Sequence, residues 1–452
     1  MNIYKRINKS KYITNIIKQF SETCNLKNIN LLLSKKFENQ RGEKLNLITN
    51  KNVNKITFST LWSDFTHLTI YSNFKDVSNE SNDKDENVKN NNSNNLADIN
   101  DLENIVFQNP EHFLSKETRY KFDELFKITD IKSYNNINDL KNIQINKNTL
   151  LELSNNINNC AIVVRTPEEY DINLKTHAKI VNIQSLEYSK LSSIDEVSIT
   201  QYINDNTYSD TRNENNVLYS FKARKIQTKF FNYVCCLSKS YKNCNNELHY
   251  TNSFIISSSI EAYNFNFSVL PIFSNFRIKK LGIVEKGLIH ISRGTLNIST
   301  IYGNNLEIIS DLNCQIQSNN INLEGKLIVN ICSGEIVIDS LESKSFDLFI
   351  GNNSDVKIFV KSIKEDSFIY IDNLNNNLTN ICIYISEDNA LNSFKIEENN
   401  NILYKPFEEL EKLPTIFIKS KNNYKHNNIM IKKTTSWDYL KEKITKKLNN
   451  KL

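Results

Sequence analysis

The sequence predicts a mainly β fold: a β-solenoid of single-strand coils, with a helical insert before it and a basic helix after it. Three observations carry this. Seven of the 8 glycines fall in one stretch, at Gly282, Gly287, Gly294, Gly303, Gly325, Gly334 and Gly351. Short alternating segments run between them, at 288–291, 295–298, 306–308, 321–323, 326–329 and 335–338. A period of two reads as strand, and a glycine or asparagine before each strand reads as a turn. Finally, residues 294–301 align with 334–341 at an offset of 40 (334 − 294), with apolar pairs Leu296/Ile336, Ile298/Ile338 and Ile301/Leu341. A strand-turn unit returning at that interval predicts two coils of ~20 residues each. The expected interior is Leu296, Ile298, Ile301, Leu323, Ile328, Ile336, Ile338 and Leu341.

In chain order, residues 1–44 form a basic N-terminal segment. Lys5, Arg6, Lys9, Lys11 and Lys18 precede the first acid, Glu22, and Ile3, Ile7, Ile13, Ile16, Ile17 and Phe20 have helical spacing. A basic, acid-free amphipathic helix is the form of a mitochondrial presequence, and no apolar h-region of a secretory signal is present. The expected location is mitochondrial, with an ordinary basic tail on a cytoplasmic protein as the alternative. Residues 45–74 read as a short β segment with strands at 55–58 and 67–71, and with Trp62 and Phe65 packing between them. His67 alternates within a strand and is expected to be an ordinary surface histidine.

Residues 75–108 read as an acidic, asparagine-rich linker. Asp76, Glu80, Asp83, Asp85 and Glu86 are followed by a run of asparagines at 90–95 that Ser93 alone interrupts. Nothing in the linker is spaced to bury, so disorder is expected. Residues 109–149 are expected to hold a helical insert. Asn109-Pro110-Glu111 suits a helix start, and Phe122, Leu125 and Phe126 share a helical face over 109–129.

The solenoid is expected over 150–395, with a polar loop at 204–216. Residues 396–452 are the C-terminal segment. There Thr435 and Asp438 have capping-box spacing. Trp437, Leu440, Ile444 and Leu448 form one apolar stripe, and Lys441, Lys443, Lys446, Lys447 and Lys451 surround it. The expectation is a helix that turns this stripe inward to cover the open end of the solenoid. A membrane-surface or partner-binding helix is the alternative.

Composition narrows the function classes. The net charge of +5 over 452 residues is small and gathers at the two ends. It lacks the dense basic face of a nucleic-acid binder, so no nucleic-acid partner is expected. No apolar run is long enough for a transmembrane helix. The 8 cysteines are scattered without a CxxC pair. The one tight group of ligand-type residues is Cys235, Cys236, Cys244 and His249, whose spacing departs from that of zinc sites. No metal or cofactor is assigned. Walker, Rossmann, HExxH and GxSxG patterns are absent. Asp339, Asp347, Asp355 and Glu335 read as isolated surface acids, and nothing in the sequence fixes His290, Arg293 and Glu285 on one face. No catalytic residue is assigned.

The glycine-punctuated strands Arg293-Gly294-Thr295-Leu296-Asn297-Ile298 and Ser333-Gly334-Glu335-Ile336-Val337-Ile338 resemble those of an adhesin-like β-solenoid domain family. Lys222-Ala223-Arg224-Lys225-Ile226-Gln227-Thr228 resembles a strand opening in that family. The resemblance spans about 220–390, and about 150–390 at its widest. It implies a stack of β coils and carries no catalytic residues. With the residue reading, it points to a non-enzymatic scaffold or interaction protein with a protein partner along the solenoid face. An adhesin-like surface protein and a carbohydrate-active β-helix enzyme are the alternatives.

Overall fold

A computed structural model of the chain describes residues 30–38, 44–61, 65–72, 125–129, 150–154, 160–167, 171–183, 196–203, 217–237, 250–372, 379–387, 395–398, 401–404, 414–420 and 428–449. Among them the chain is almost entirely strand. The first elements are β1 (Asn30–Glu38), β2 (Lys44–Ile48), β3 (Val53–Leu61), β4 (Phe65–Ser72) and β5 (Phe126–Thr129). They are followed by β6 (Leu150–Leu153), β7 (Cys160–Pro167), β8 (Asp171–Thr176), β9 (Ile180–Ile183) and β10 (Glu196–Ile203). The long strands β11 (Val217–Leu237), β12 (Tyr250–Leu323) and β13 (Lys326–Ser343) form the centre. After them come β14 (Ser345–Ile350), β15 (Ser354–Ile363), β16 (Ser367–Ile371), β17 (Asn380–Ser386), β18 (Lys395–Glu398), β19 (Asn401–Tyr404), β20 (Thr415–Ser420), β21 (Asn428–Thr434) and one helix, α1 (Ser436–Asn449).

All strands join one curled sheet. The long strands bend, so β11 and β13 each have their two halves in different walls, and β12 spans both walls at each of its ends. The first half of β11 pairs with β9, and its second half pairs with β10. Towards the N-terminus one wall continues through β8, β2, β6 and β5, and the other through β3, β7, β4 and β1. Towards the C-terminus β13 divides likewise. One wall runs through β14, β16, β20, β18 and β19, and the other through β15, β17 and β21. The strands at 44–61 therefore belong to the same sheet as those after 150.

Most of these pairings are parallel. In the glycine-rich region, partners lie 19 to 21 residues apart, and 20 apart on one wall where Ile316 faces Ile336 and Ile336 faces Val356. This is the spacing expected from the 40-residue offset. The interior is built in columns of like on like. Ile316, Ile336, Val356 and Ile381 form one, and Ile308, Val329, Leu348, Ile369 and Ile418 another. Towards the N-terminus the columns are aromatic. Phe221 stacks on Phe254 at 4.8 Å and Phe254 on Phe276 at 5.0 Å, with Phe231 on Phe265 alongside. Parallel pairing of identical side chains lets each ring cover the next, so phenylalanine fills the core there.

Glycine is required where a pass turns a corner. Gly294 and Gly334 have φ of 140° and 128°. A Cβ on either would lie 1.9 Å from a carbonyl oxygen of the previous pass, that of Ser274 or Cys314. The repeated glycine is thus the point where one turn of backbone rests on the last, at a conformation other residues rarely adopt. Asparagine has a use too. On the outer face the Asn173 amide donates to Asn46, Asn232 to Ser198, Asn266 to Asn232, and Asn428 to Asn380. Stacked amides in register satisfy one another along the wall.

Seven of the eight expected interior residues are buried; Ile328 is half-buried, and Leu327 and Val329 point inward instead. The run of three aliphatics at 327–329 offers no polar member to set the alternation, and register with β12 and β14 decides it. The helix expected over 109–129 is also corrected. Phe126–Thr129 is strand β5, paired antiparallel with β6, and Phe126 is buried. Pairing with a strand supplied by the sheet outweighs the local spacing of Phe122, Leu125 and Phe126. The rest of that expected helix (109–124), the presequence, the linker, Trp62 and the 204–216 loop lie outside the described residues, as do the surroundings of the Phe65 side chain.

Ile336→Asp is expected to lower stability by about 4 kcal/mol or more, through an unpaired charge in the apolar column. Gly334→Ala should cost about 3 kcal/mol from strain and the carbonyl contact. Val337→Asp, one residue out of register and facing outward, should change the urea midpoint little. Equal loss for Asp at 336 and 337 would refute the register.

Candidate docking surface

Of the cysteine group, Cys235 and Cys236 do not share a site. Cys235 and Cys236 are successive residues of β11, so their side chains leave opposite faces of the strand. Cys235 is buried and Cys236 half-buried, while Cys244 and His249 lie outside the described residues. Two ligands on opposite faces of a strand cannot hold one ion. Among the described residues no group of three or more His, Cys, Asp or Glu is placed to hold a metal.

What surrounds Cys235 is a buried polar chain. The Gln201 amide donates to the carbonyl oxygens of Ala178 (2.7 Å) and Lys179 (3.1 Å). Tyr233 Oη donates to Gln201 Oε1, and Asn252 Nδ2 donates to Tyr233 Oη, both at 2.7 Å. These side chains, with the Ser220 amide of β11 on Lys179, satisfy the backbone carbonyls of the short step between β8 and β9. Burial, then the neighbouring Cys236, pushes the Cys235 thiol well up. Burial likewise pushes the thiols of Cys160 and Cys314 up to about 12. A thiol held neutral is a poor nucleophile and a poor metal ligand.

The outer-face acids are tied or paired in ways the sequence does not announce. Asp347 bridges Lys326 at 2.7 Å, and His290 contacts Asp311 at 3.0 Å. His67 is half-buried on β4. Glu335 and Asp355, read from sequence as isolated, are direct neighbours across β13 and β15 and both are exposed. Like charges in register repel. Asn380 donates to Asp355 at 2.6 Å and offsets part of that cost. The pairing follows from a 20-residue register step (355 − 335), which motif searching along the chain does not detect.

The surface that sets this molecule apart is made by α1. Its start is a capping box: the Asp438 amide donates to Thr435 Oγ1 at 3.1 Å, and that hydroxyl donates to the Asp438 carboxylate at 2.9 Å. The helix lies against the outer face of the wall formed by β13, β15, β17 and β21. Tyr439 is its anchor. The ring is buried against Phe359 and Tyr384, with centroids 4.9 Å away in each case, and Lys357 Nζ lies 5.0 Å from the ring centroid. Its hydroxyl donates to Asp339 at 3.3 Å, and Lys443 forms an ion pair with the same carboxylate. Glu442 accepts from Tyr384 (3.2 Å) and Lys432 (3.1 Å). Asp339 is therefore a pinning residue, neither isolated nor solvated.

This arrangement reverses the expected orientation. Trp437, Leu440 and Ile444 are 65%, 45% and 58% exposed. The contacts come from four neighbouring strands, so α1 lies along the flank and does not cover the last pass. One aromatic ring and a few charged pairs hold the inner side, and they outcompete a purely apolar stripe because the wall presents Asp339, Lys357 and Lys432 there. Tyr439, the residue that sequence reasoning missed, lies two positions from Trp437 and off the stripe.

No family model, no curated protein and no solved structure matches this chain. The fold and surface define a mainly β protein with a curled parallel sheet and a helix fixed to its flank.

Maleimide labelling of the native protein should reach exposed Cys332 rapidly and Cys160, Cys235 and Cys314 only after denaturation; early labelling of Cys235 would contradict the packing. Asp339→Ala should free α1 at a cost of about 2 kcal/mol, read as tryptic cleavage at Lys441 and Lys443 while the sheet stays folded. Helix docking should also depend on pH. Burial and then the Glu442 carboxylate push Tyr384 up to about 12, and burial and then Asp339 push Tyr439 up. Both groups favour docking while neutral. Docking should be complete below the ordinary tyrosine value of 10.0 and be lost as pH rises through about 12, followed by α1 amide exchange.

Proposed function

We propose that this chain is a non-enzymatic interaction protein: a β-solenoid scaffold of the adhesin-like kind that carries a docking helix on its flank. The solenoid reading is supported by the 20-residue register step and by the glycine corners at Gly294 and Gly334. The docking reading rests on one observation. The apolar stripe of α1 faces outward, and the buried Tyr439 with the ion pairs of Lys443 and Glu442 hold it there. An amphipathic helix folded alone would bury such a stripe against its own sheet. Held outward, the stripe is a surface for something else.

We place the protein in the mitochondrion on the strength of the acid-free basic residues 1–20. An adhesin-like surface protein is the alternative, and imaging the untagged protein with an antibody separates the two. The test of docking is sedimentation of native extracts. Wild-type protein should sediment in a heavier particle. The triple variant Trp437→Ser, Leu440→Ser, Ile444→Ser should sediment as the free chain with little change in melting temperature, because each of the three side chains is 45% exposed or more. Identical sedimentation of the two proteins would overturn the reading.

A further inference from the structure

We infer that the outward face of α1 docks on an anionic lipid surface. The inference rests on the docking reading above and names its occupant. Trp437, Leu440 and Ile444 fall at i, i+3 and i+7, one narrow stripe along the helix. Fully covered, three side chains would bury roughly 400 Å², well short of the ≈800 Å² per partner of a stable protein interface. A lipid surface needs no matching patch, and charge supplies the rest of the attraction.

The charge around the stripe is of the required sign. Exposed Lys441 lies with its Nζ 5.8 Å from the Trp437 ring centroid. From Lys443 to Leu452 the sequence contains Lys446, Lys447 and Lys451 and no acid. Of the two helix acids, Asp438 is engaged in the cap and Glu442 is turned to Tyr384 and Lys432 on the wall. The negative charge is therefore held at the helix start and the inner side, while lysine and tryptophan face out. Tryptophan favours the boundary between headgroups and acyl chains, and long lysine side chains reach past it to phosphate. The helix is already formed and fixed to a rigid wall, so docking does not have to order it.

The test uses the full chain with Trp62→Phe, which leaves Trp437 as the one tryptophan of the two in the sequence. The probes are phosphatidylcholine vesicles with and without about a third of phosphatidylglycerol. With the anionic vesicles the protein should float, and Trp437 emission should shift to the blue. High salt should weaken flotation, and Lys441→Glu with Lys447→Glu should weaken it about tenfold or more. The triple serine variant should not float. Absence of flotation with anionic vesicles, equal flotation with neutral ones, or flotation of the triple variant each overturns the lipid inference. If wild type fails to float but still sediments in a heavier particle through the stripe, the docking reading stands and its occupant is a protein. If the stripe also makes no difference to sedimentation, both readings fall.

Discussion

Everything in this chain depends on how closely one pass of backbone lies on the previous one. Parallel strands hydrogen-bonded side by side leave each side chain directly above its counterpart. That constraint selects like on like: isoleucine over isoleucine in the later passes, phenylalanine over phenylalanine in the earlier ones, asparagine over asparagine outside. It also selects glycine at the corners, where the carbonyl oxygens of Ser274 and Cys314 leave no room for a Cβ. Asparagines far apart in the sequence, such as Asn46 and Asn173 or Asn232 and Asn266, become stacked amides once the strands are in register.

How much was legible follows from the same constraint. The passes around Gly294 and Gly334 return at close to 20 residues, so these glycines with their flanking aliphatics reveal the strand register to anyone comparing the sequence with itself. The earlier passes do not. Phe231 meets Phe265 across 34 residues, whereas Phe254 stacks on Phe276 across 22. The aromatic columns therefore have no fixed offset to find. Ile328 was misplaced because an aliphatic run carries no alternation. Residues 126–129 read as helix because Phe122, Leu125 and Phe126 satisfy a helical period, whereas the strand partner at 150–153 is remote in sequence. The neighbouring acids Glu335 and Asp355 were invisible for a related reason: adjacency across strands is not adjacency along the chain.

The terminal helix illustrates a different limit. Its existence, its cap and its stripe are all local properties, and each is readable from 435–448. Its orientation is not local. It is decided by Asp339, about a hundred residues upstream, which draws in Tyr439 and Lys443 and so turns Trp437 to the outside. Amphipathicity specifies that a helix has two faces; the surface it meets specifies which face is used. Here the polar face meets a wall carrying charges of both signs, and the apolar face is left to the solvent side.

The register step of the glycine-rich region has a further consequence for how this protein can change length. A segment of 20 residues removed or duplicated within 313–338 would return its columns to like partners and Gly334 to a carbonyl. A segment of ten would exchange one wall for the other, and a single residue would turn a run of isoleucines outward. Related chains should therefore differ in length by whole repeats within the glycine-rich region, so that length variation itself records where the regular walls begin and end.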